Sequence, residues 1–195
     1  MDNKNEFKKF IKIGSIGETI FLEEFLKPFA RSIRNKYNNV HIKDNRSNKK
    51  TDYTLIVNSN PIDFEIKSNY KDNNRIVLET ISVENVDRNK SQNDKLGWIY
   101  TTTSDIIVFL SSSTHNMIFF DVKDLKKQFI NIEKKYRNFR NKYPTKYGNL
   151  LWYGYFKIIP LNEFKNFIIY QNNIQNNVFN WIESNYINYK VLNLM

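Results

Sequence analysis

The stretch TDYTLIVNSNPIDFEIK, residues 51–67, reads as two strands joined by a turn. Tyr53, Leu55 and Val57 alternate with Thr54, Ile56 and Asn58. Asn58-Ser59-Asn60-Pro61 then supplies turn chemistry, and Ile62, Phe64 and Ile66 alternate with Asp63, Glu65 and Lys67. Successive side chains on a strand point to opposite faces, so Ile62, Phe64 and Ile66 are expected in a core, with Asp63, Glu65 and Lys67 on the other face. Pairing across the turn brings Asp52, at the start of the first strand, near Glu65 and Lys67 at the end of the second, because all three lie at the open end of the hairpin. Two carboxylates and an ammonium then converge.

Oxygen ligands from two carboxylates suit Mg²⁺, which keeps several waters and is usually completed by substrate phosphate. Such a cation polarises a phosphodiester and lowers the pKa of its bound water, while a nearby lysine orients that water or offsets transition-state charge. An Asp followed a dozen residues later by Glu-x-Lys on an alternating strand resembles the PD-(D/E)xK nuclease superfamily, and in spacing most of all the archaeal-type Holliday junction resolvases and RecB-like nucleases. The resemblance implies that Asp52 and Glu65 bind Mg²⁺ (or Mn²⁺) and that Lys67 is the catalytic lysine. It also implies an α/β fold with a restriction-endonuclease-like mixed central sheet flanked by helices. Thr51 stands where the motif has its proline. Taken alone, a Glu-x-Lys on a solvated strand face is also what a lysine-rich chain offers by composition, so the rest of the chain has to supply its company.

With 195 residues, 41% of them hydrophobic, the chain can bury one sizeable core. The formal net charge of +10 and pI near 9.5 favour a polyanionic partner, since each Lys or Arg on a phosphate releases a counterion. No long apolar run or lipidation signal points to a membrane. The absence of cysteine excludes disulfides and thiolate zinc sites, and His41 and His115 are the only imidazoles. The N-terminus has no apolar signal core, so a cytoplasmic protein is expected. The abundance of Asn, Ile, Lys and Tyr looks like an AT-rich genome, which inflates the lysine count.

In chain order, Gly14-Ser15-Ile16-Gly17 offers a break and an N-cap before a helix expected from about Ile16 to about Lys36, with Pro28 able to kink it. Glu18, Leu22, Phe25 and Phe29 fall on one stripe of that helix, and Glu23 and Glu24 on its polar edge. A carboxylate at the end of an apolar stripe needs a cation, a metal or a hydrogen-bond donor, or else it stays wet and complements the helix dipole. The resemblance implies a glutamate on the first helix beside the metal, and Glu18 matches by position. Val40 and Ile42 suggest a short strand, and Lys43, Arg46, Lys49 and Lys50 form a basic loop leading into Asp52, where a phosphate backbone could be gripped. Lys71 falls in the polar turn after Lys67.

Ile76–Ser82 reads as a third strand, in which Glu79 could hold Lys67, complete the acidic cluster or pair with a nearby lysine. The Asn-rich run that follows reads as a long loop. Within it Gln92 resembles the polar residue that follows the Glu-x-Lys strand in some of these nucleases. Ile106–Leu110 is a continuous apolar run, expected at the centre of the sheet with the MIFF run beside it. Asp105, at the strand entrance, fits a turn or cap role or a place in the site. Residues 121–143 read as a second helix with Leu125, Phe129, Ile132, Tyr136 and Phe139 on its core face. Its remaining surface, with Lys134, Lys135, Arg137 and Arg140, makes a one-signed candidate nucleic-acid contact, or simply a solvated face. A strand and then a helix from about Pro160 are expected next.

Residues 1–170 are therefore read as one nuclease-like domain, and residues 171–195 as a C-terminal helical extension packed on it or on a dimer partner. No P-loop, Ser-His-Asp set or glycine-rich nucleotide fingerprint competes, so no nucleotide cofactor is expected. The function implied is metal-dependent DNA hydrolysis, resolvase-like or restriction-like, with a homodimer if both strands are cut. The alternative is a catalytically silent nucleic-acid-binding module of the same fold.

Overall fold

The computed structural model describes residues 3–46, 51–69, 74–83, 95–144, 151–165, 167–170 and 175–188. The chain opens with α1 (Asn3–Ile20), a π-helical stretch (Phe21–Leu26) and α2 (Lys27–Ile33). Then come β1 (His41–Asp44), β2 (Tyr53–Val57), β3 (Asn60–Asn69), β4 (Arg75–Val83), β5 (Lys95–Leu96) and the single turn α3 (Trp98–Thr101). The second half has β6 (Ile106–Ser111), β7 (Met117–Asp121), α4 (Val122–Ile132), β8 (Phe139–Pro144), β9 (Leu151–Pro160), β10 (Ile168–Tyr170) and α5 (Gln175–Ile182). Two compact units are woven from these segments: residues 13–72, 103–123 and 166–195 form one, and residues 1–12, 73–102 and 124–165 the other. The chain is thus mixed α/β, with a mixed sheet and helices as expected. Among the described residues no helix is long and apolar enough to cross a membrane.

The first unit holds a six-stranded sheet in the order β1-β2-β3-β6-β7-β10. Its β3–β6 pair is parallel and its other pairs are antiparallel. All six residues of β6 are buried, as the unbroken apolar run predicts for a strand covered on both faces. The β2–β3 hairpin forms with Tyr53 opposite Phe64 and Leu55 opposite Ile62. Its turn is tighter than the four residues expected. Asn58 and Ser59 take φ of 49° and 68°, the left-handed pair that matches strand twist in a two-residue loop, and Asn60 and Pro61 already belong to β3. Proline is tolerated there because the β6 ladder begins only at Phe64.

Tyr53, Leu55, Val57, Ile62, Phe64 and Ile66 are buried, as their alternation predicts. Phe21, Phe25, Phe29 and Ile33, four apart, pack on them, and Phe25 meets Phe119 with ring centroids 4.6 Å apart. The apolar stripe of the first helix is therefore centred on Phe21 rather than Leu22. Each of these phenylalanines contributes about 2 kcal/mol by burial. Val178 and Ile182 of α5, with Tyr186 and Ile187 beyond it, join the same core.

The first helix begins at Asn3, well before the break expected at Gly14–Gly17. Gly17 is a packing residue: a Cβ there would lie 1.7 Å from Ser68 Oγ, so glycine lets the helix press against β3. Ahead of Pro28 the helix widens to π geometry, the Lys27 N–H bonding the Leu22 carbonyl five residues back.

The second unit holds an antiparallel four-stranded sheet in the order β5-β4-β9-β8. Two expectations fail here. The second helix ends at Ile132 instead of running to residue 143, and Phe139 starts a strand paired to β9. Cross-strand stacking of Phe139 on Phe156, with centroids 5.7 Å apart and rings 18° from parallel, outweighs the helical periodicity. The helix expected after Pro160 is one 3₁₀ turn, Leu161–Glu163, tied down by the Gln128 amide donating to the Glu163 carbonyl at 2.8 Å.

Candidate active site

Asp52 continues both ladders one step beyond the hairpin. Its N–H donates to the Phe64 carbonyl, and its own carbonyl accepts the Asn45 N–H, each at 3.0 Å. The carboxylate turns onto the neighbouring strand, where Oδ2 accepts the Ile66 N–H at 2.6 Å. It therefore sits against the backbone between Glu65 and Lys67. On β3, Lys67 Nζ lies 2.6 Å from Glu65 Oε1, with both side chains half-buried. The convergence at the open end of the hairpin is present as the sequence predicts. Thr51 has its own task there, its hydroxyl donating to the Phe64 carbonyl at 2.6 Å.

Glu18 reaches the same neighbourhood from α1. Its Oε2 lies 3.6 Å from the Arg46 guanidinium, its backbone carbonyl accepts the Tyr53 hydroxyl at 3.2 Å, and its charge is felt at Asp52. Arg46 is itself clamped by Asp44, whose Oδ2 lies 2.5 Å away, and its guanidinium lies 5.3 Å from the Tyr53 ring centre. This arginine, expected on a phosphate, is thus engaged by two carboxylates.

The electrostatics follow from this crowding. Burial, then the Glu65 and Glu18 charges, push the Asp52 carboxyl up to about 6, against the Ile66 N–H and Lys67. Burial also raises Glu18 above the usual carboxylate value, with Arg46 opposing. The Arg46 hydrogen bonds hold Asp44 below its ordinary value despite some burial.

Among the described residues, four carboxylates (Glu18, Asp44, Asp52 and Glu65) outnumber the cations Lys67 and Arg46 here. Hard oxygens in a site of that sign fit a divalent cation. Among the described residues no three Asp, Glu or His side chains are grouped to hold one ion, so a cation would take one or two carboxylates and complete its shell with water and phosphate oxygen, as Mg²⁺ does.

Of the other expected residues, some belong to the other unit and some lie outside the described residues. Glu79 lies on β4, in the other unit, and accepts the Ser82 hydroxyl at 3.0 Å. Gln92, Lys49, Lys50 and Lys71 lie outside the described residues. Lys134, Lys135, Arg137 and Arg140 share no helix face: the lysines sit on a 3₁₀ turn (Glu133–Lys135), Arg137 follows it and Arg140 is on β8. Lys135 lies 3.6 Å from Glu163, and the Arg140 guanidinium lies 3.4 Å from the centre of the Tyr153 ring.

Sequence reasoning missed a buried polar chain beside the site. The Asn45 amide donates to Thr54 Oγ1 at 2.6 Å, the Thr54 hydroxyl donates to Asp63, and the Asp63 N–H is held by Asp105 Oδ2 at 2.9 Å. The hairpin register, which puts Thr54 opposite Asp63, was its one legible signal. An open cleft on this face is lined by Lys43, Asn45, Thr54 and Asp63 among others. The chain matches no family model, no curated protein and no solved structure.

Proposed function

We propose that this chain is a metal-dependent DNA nuclease of the PD-(D/E)xK type. The observation that carries the reading is the arrangement of Asp52 against the β3 backbone between Glu65 and Lys67, with Glu18 close enough to raise its carboxyl. Asp52 and Glu65 would hold the Mg²⁺ (or Mn²⁺), with Glu18 in support. When bound, the ion supplies polarisation of the phosphodiester and a more acidic water. Lys67, anchored to Glu65, orients the attacking water and offsets negative charge at the phosphate. Burial keeps these charges in a medium where each acts more strongly than in water. The hydrogen bond from Ile66 holds the Asp52 carboxylate in place before any ligand arrives. The net charge of +10 supports a polyanionic substrate.

The test is incubation of the protein and its Lys67→Ala variant with linear, single-stranded and four-way-branched DNA, in Mg²⁺, Mn²⁺ or EDTA. Scission that needs the metal and is lost in the variant upholds the reading, and the preferred substrate separates resolvase-like from restriction-like action. If neither protein cuts while both bind DNA equally, the catalytic assignment of Asp52, Glu65 and Lys67 falls. The chain is then better described as a binding module.

A further inference from the structure

One face of the four-stranded sheet carries an apolar row that, among the described residues, is not fully buried. Side chains two apart share a strand face, and the register puts Val77 opposite Ile158 and Phe156 opposite Phe139. Val77 is 38% exposed, and Ile158, Phe156 and Phe139 are partly buried, each keeping some surface open. The opposite face carries Ile76, Leu78 and Ile159, all buried. So the strands alternate as a sheet with one dry side, but the other side is aromatic and aliphatic where lysine or threonine would be ordinary.

Among the described residues, the charge around this row has one sign in excess. The exposed Arg137 guanidinium lies 4.7 Å from the centre of the Phe139 ring, and Phe139 stacks on Phe156. Exposed Arg75 occupies the β4 end of the same face, since Arg75 and Val77 are two apart. Among the described residues neither arginine has a carboxylate partner. Glu79, the acid in the Phe156 row, accepts the Ser82 hydroxyl. Flat rings, a guanidinium plane and a second arginine, Arg75, match a polymer with flat bases and a phosphate backbone.

We infer that this face is a stacking platform for unpaired bases of single-stranded nucleic acid, with Phe139, Phe156 and Arg137 taking the bases and Arg75 a phosphate. The inference takes the class of polymer from the proposed function but not the carboxylate site, which lies in the other unit. Paired bases present their ring faces to one another, so the platform selects frayed, gapped or branched substrates over an intact duplex.

The experiment is fluorescence anisotropy in EDTA with labelled oligothymidylate and an abasic oligomer of equal length and charge. Wild type should bind the thymidylate more tightly. Phe156→Leu and Arg137→Gln should each weaken that binding by roughly five- to a hundredfold, the worth of about one stacked base, and leave the abasic oligomer nearly unchanged. Phe156→Tyr, which keeps the ring, should bind as wild type, and Arg137→Gln is exposed enough to leave the fold intact. Equal affinity of wild type for both oligomers would overturn the platform. So would a Phe156→Leu protein, folded by circular dichroism, that binds thymidylate normally but sediments as a smaller species, since the face would then join two copies of this chain. Absence of cleavage with the platform binding intact would refute the nuclease reading alone.

Discussion

Replacing Asp52 with asparagine should make the protein more stable and, on the proposed nuclease reading, its cleavage worse. The folded carboxyl sits at about 6 against an ordinary 3.8, so the native state holds its proton over a window in which the unfolded chain has lost it. Native structure therefore binds more protons than unfolded chain between those values, and stability falls as pH rises from near 4 to near 6. Above that window the ionised Asp52 costs roughly 3 kcal/mol, 1.36 kcal/mol for each of about two pH units. Asparagine keeps an oxygen to accept the Ile66 N–H and carries no charge. The Asp52→Asn protein should match wild type near pH 4 and melt higher by about 6–12 °C at pH 7–8, at 2–4 °C per kcal/mol for a chain of this size. Thermal melts by circular dichroism across pH 4–8 measure the difference. Mg²⁺ should raise the wild-type melting temperature and leave the variant nearly unmoved. A variant that melts lower than wild type at pH 7, or by the same margin at every pH, would refute the reasoning, because Asp52 would then be a structural acid and not a charge held against its neighbours.

Three further outcomes follow from the same geometry. If the chain cleaves DNA as proposed, cleavage by the wild type should rise as pH passes through the Asp52 window in low Mg²⁺ and flatten at high Mg²⁺, because the cation competes with the proton for that carboxylate; a pH–rate series at two metal concentrations reads this. Gly17→Ala forces a methyl onto Ser68 and should cost about 1–3 kcal/mol in urea melts, and adding Ser68→Gly should recover most of it. Thr51→Val removes the hydroxyl that holds the Phe64 carbonyl and should cost about 1 kcal/mol; on the proposed nuclease reading it should also reduce cleavage through displacement of Asp52 with KM little changed.

The hairpin and its three polar residues were legible because they depend on local rules. Alternation assigned Ile62, Phe64 and Ile66 to the core and Glu65 and Lys67 to the other face, and turn chemistry set Asp52 opposite them. The apolar run of β6 announced a strand buried on both faces for the same reason. What sequence did not show depends on partners distant along the chain. Glycine 17 looked like a helix break because its reason for being glycine, Ser68, lies fifty residues on. Phe139 kept a helical spacing and became a strand because Phe156 was available to stack on it. The clamp of Asp44 and Glu18 on Arg46 likewise joins a strand end to a helix. Sequence alone determined which residue types could meet at the hairpin, through the two-residue period of a strand. Only the tertiary structure decided that Asp52 would be buried among like charges and that β4, β5, β8 and β9 would form a separate sheet, because burial and long-range pairing are properties of the packed chain and not of any one segment.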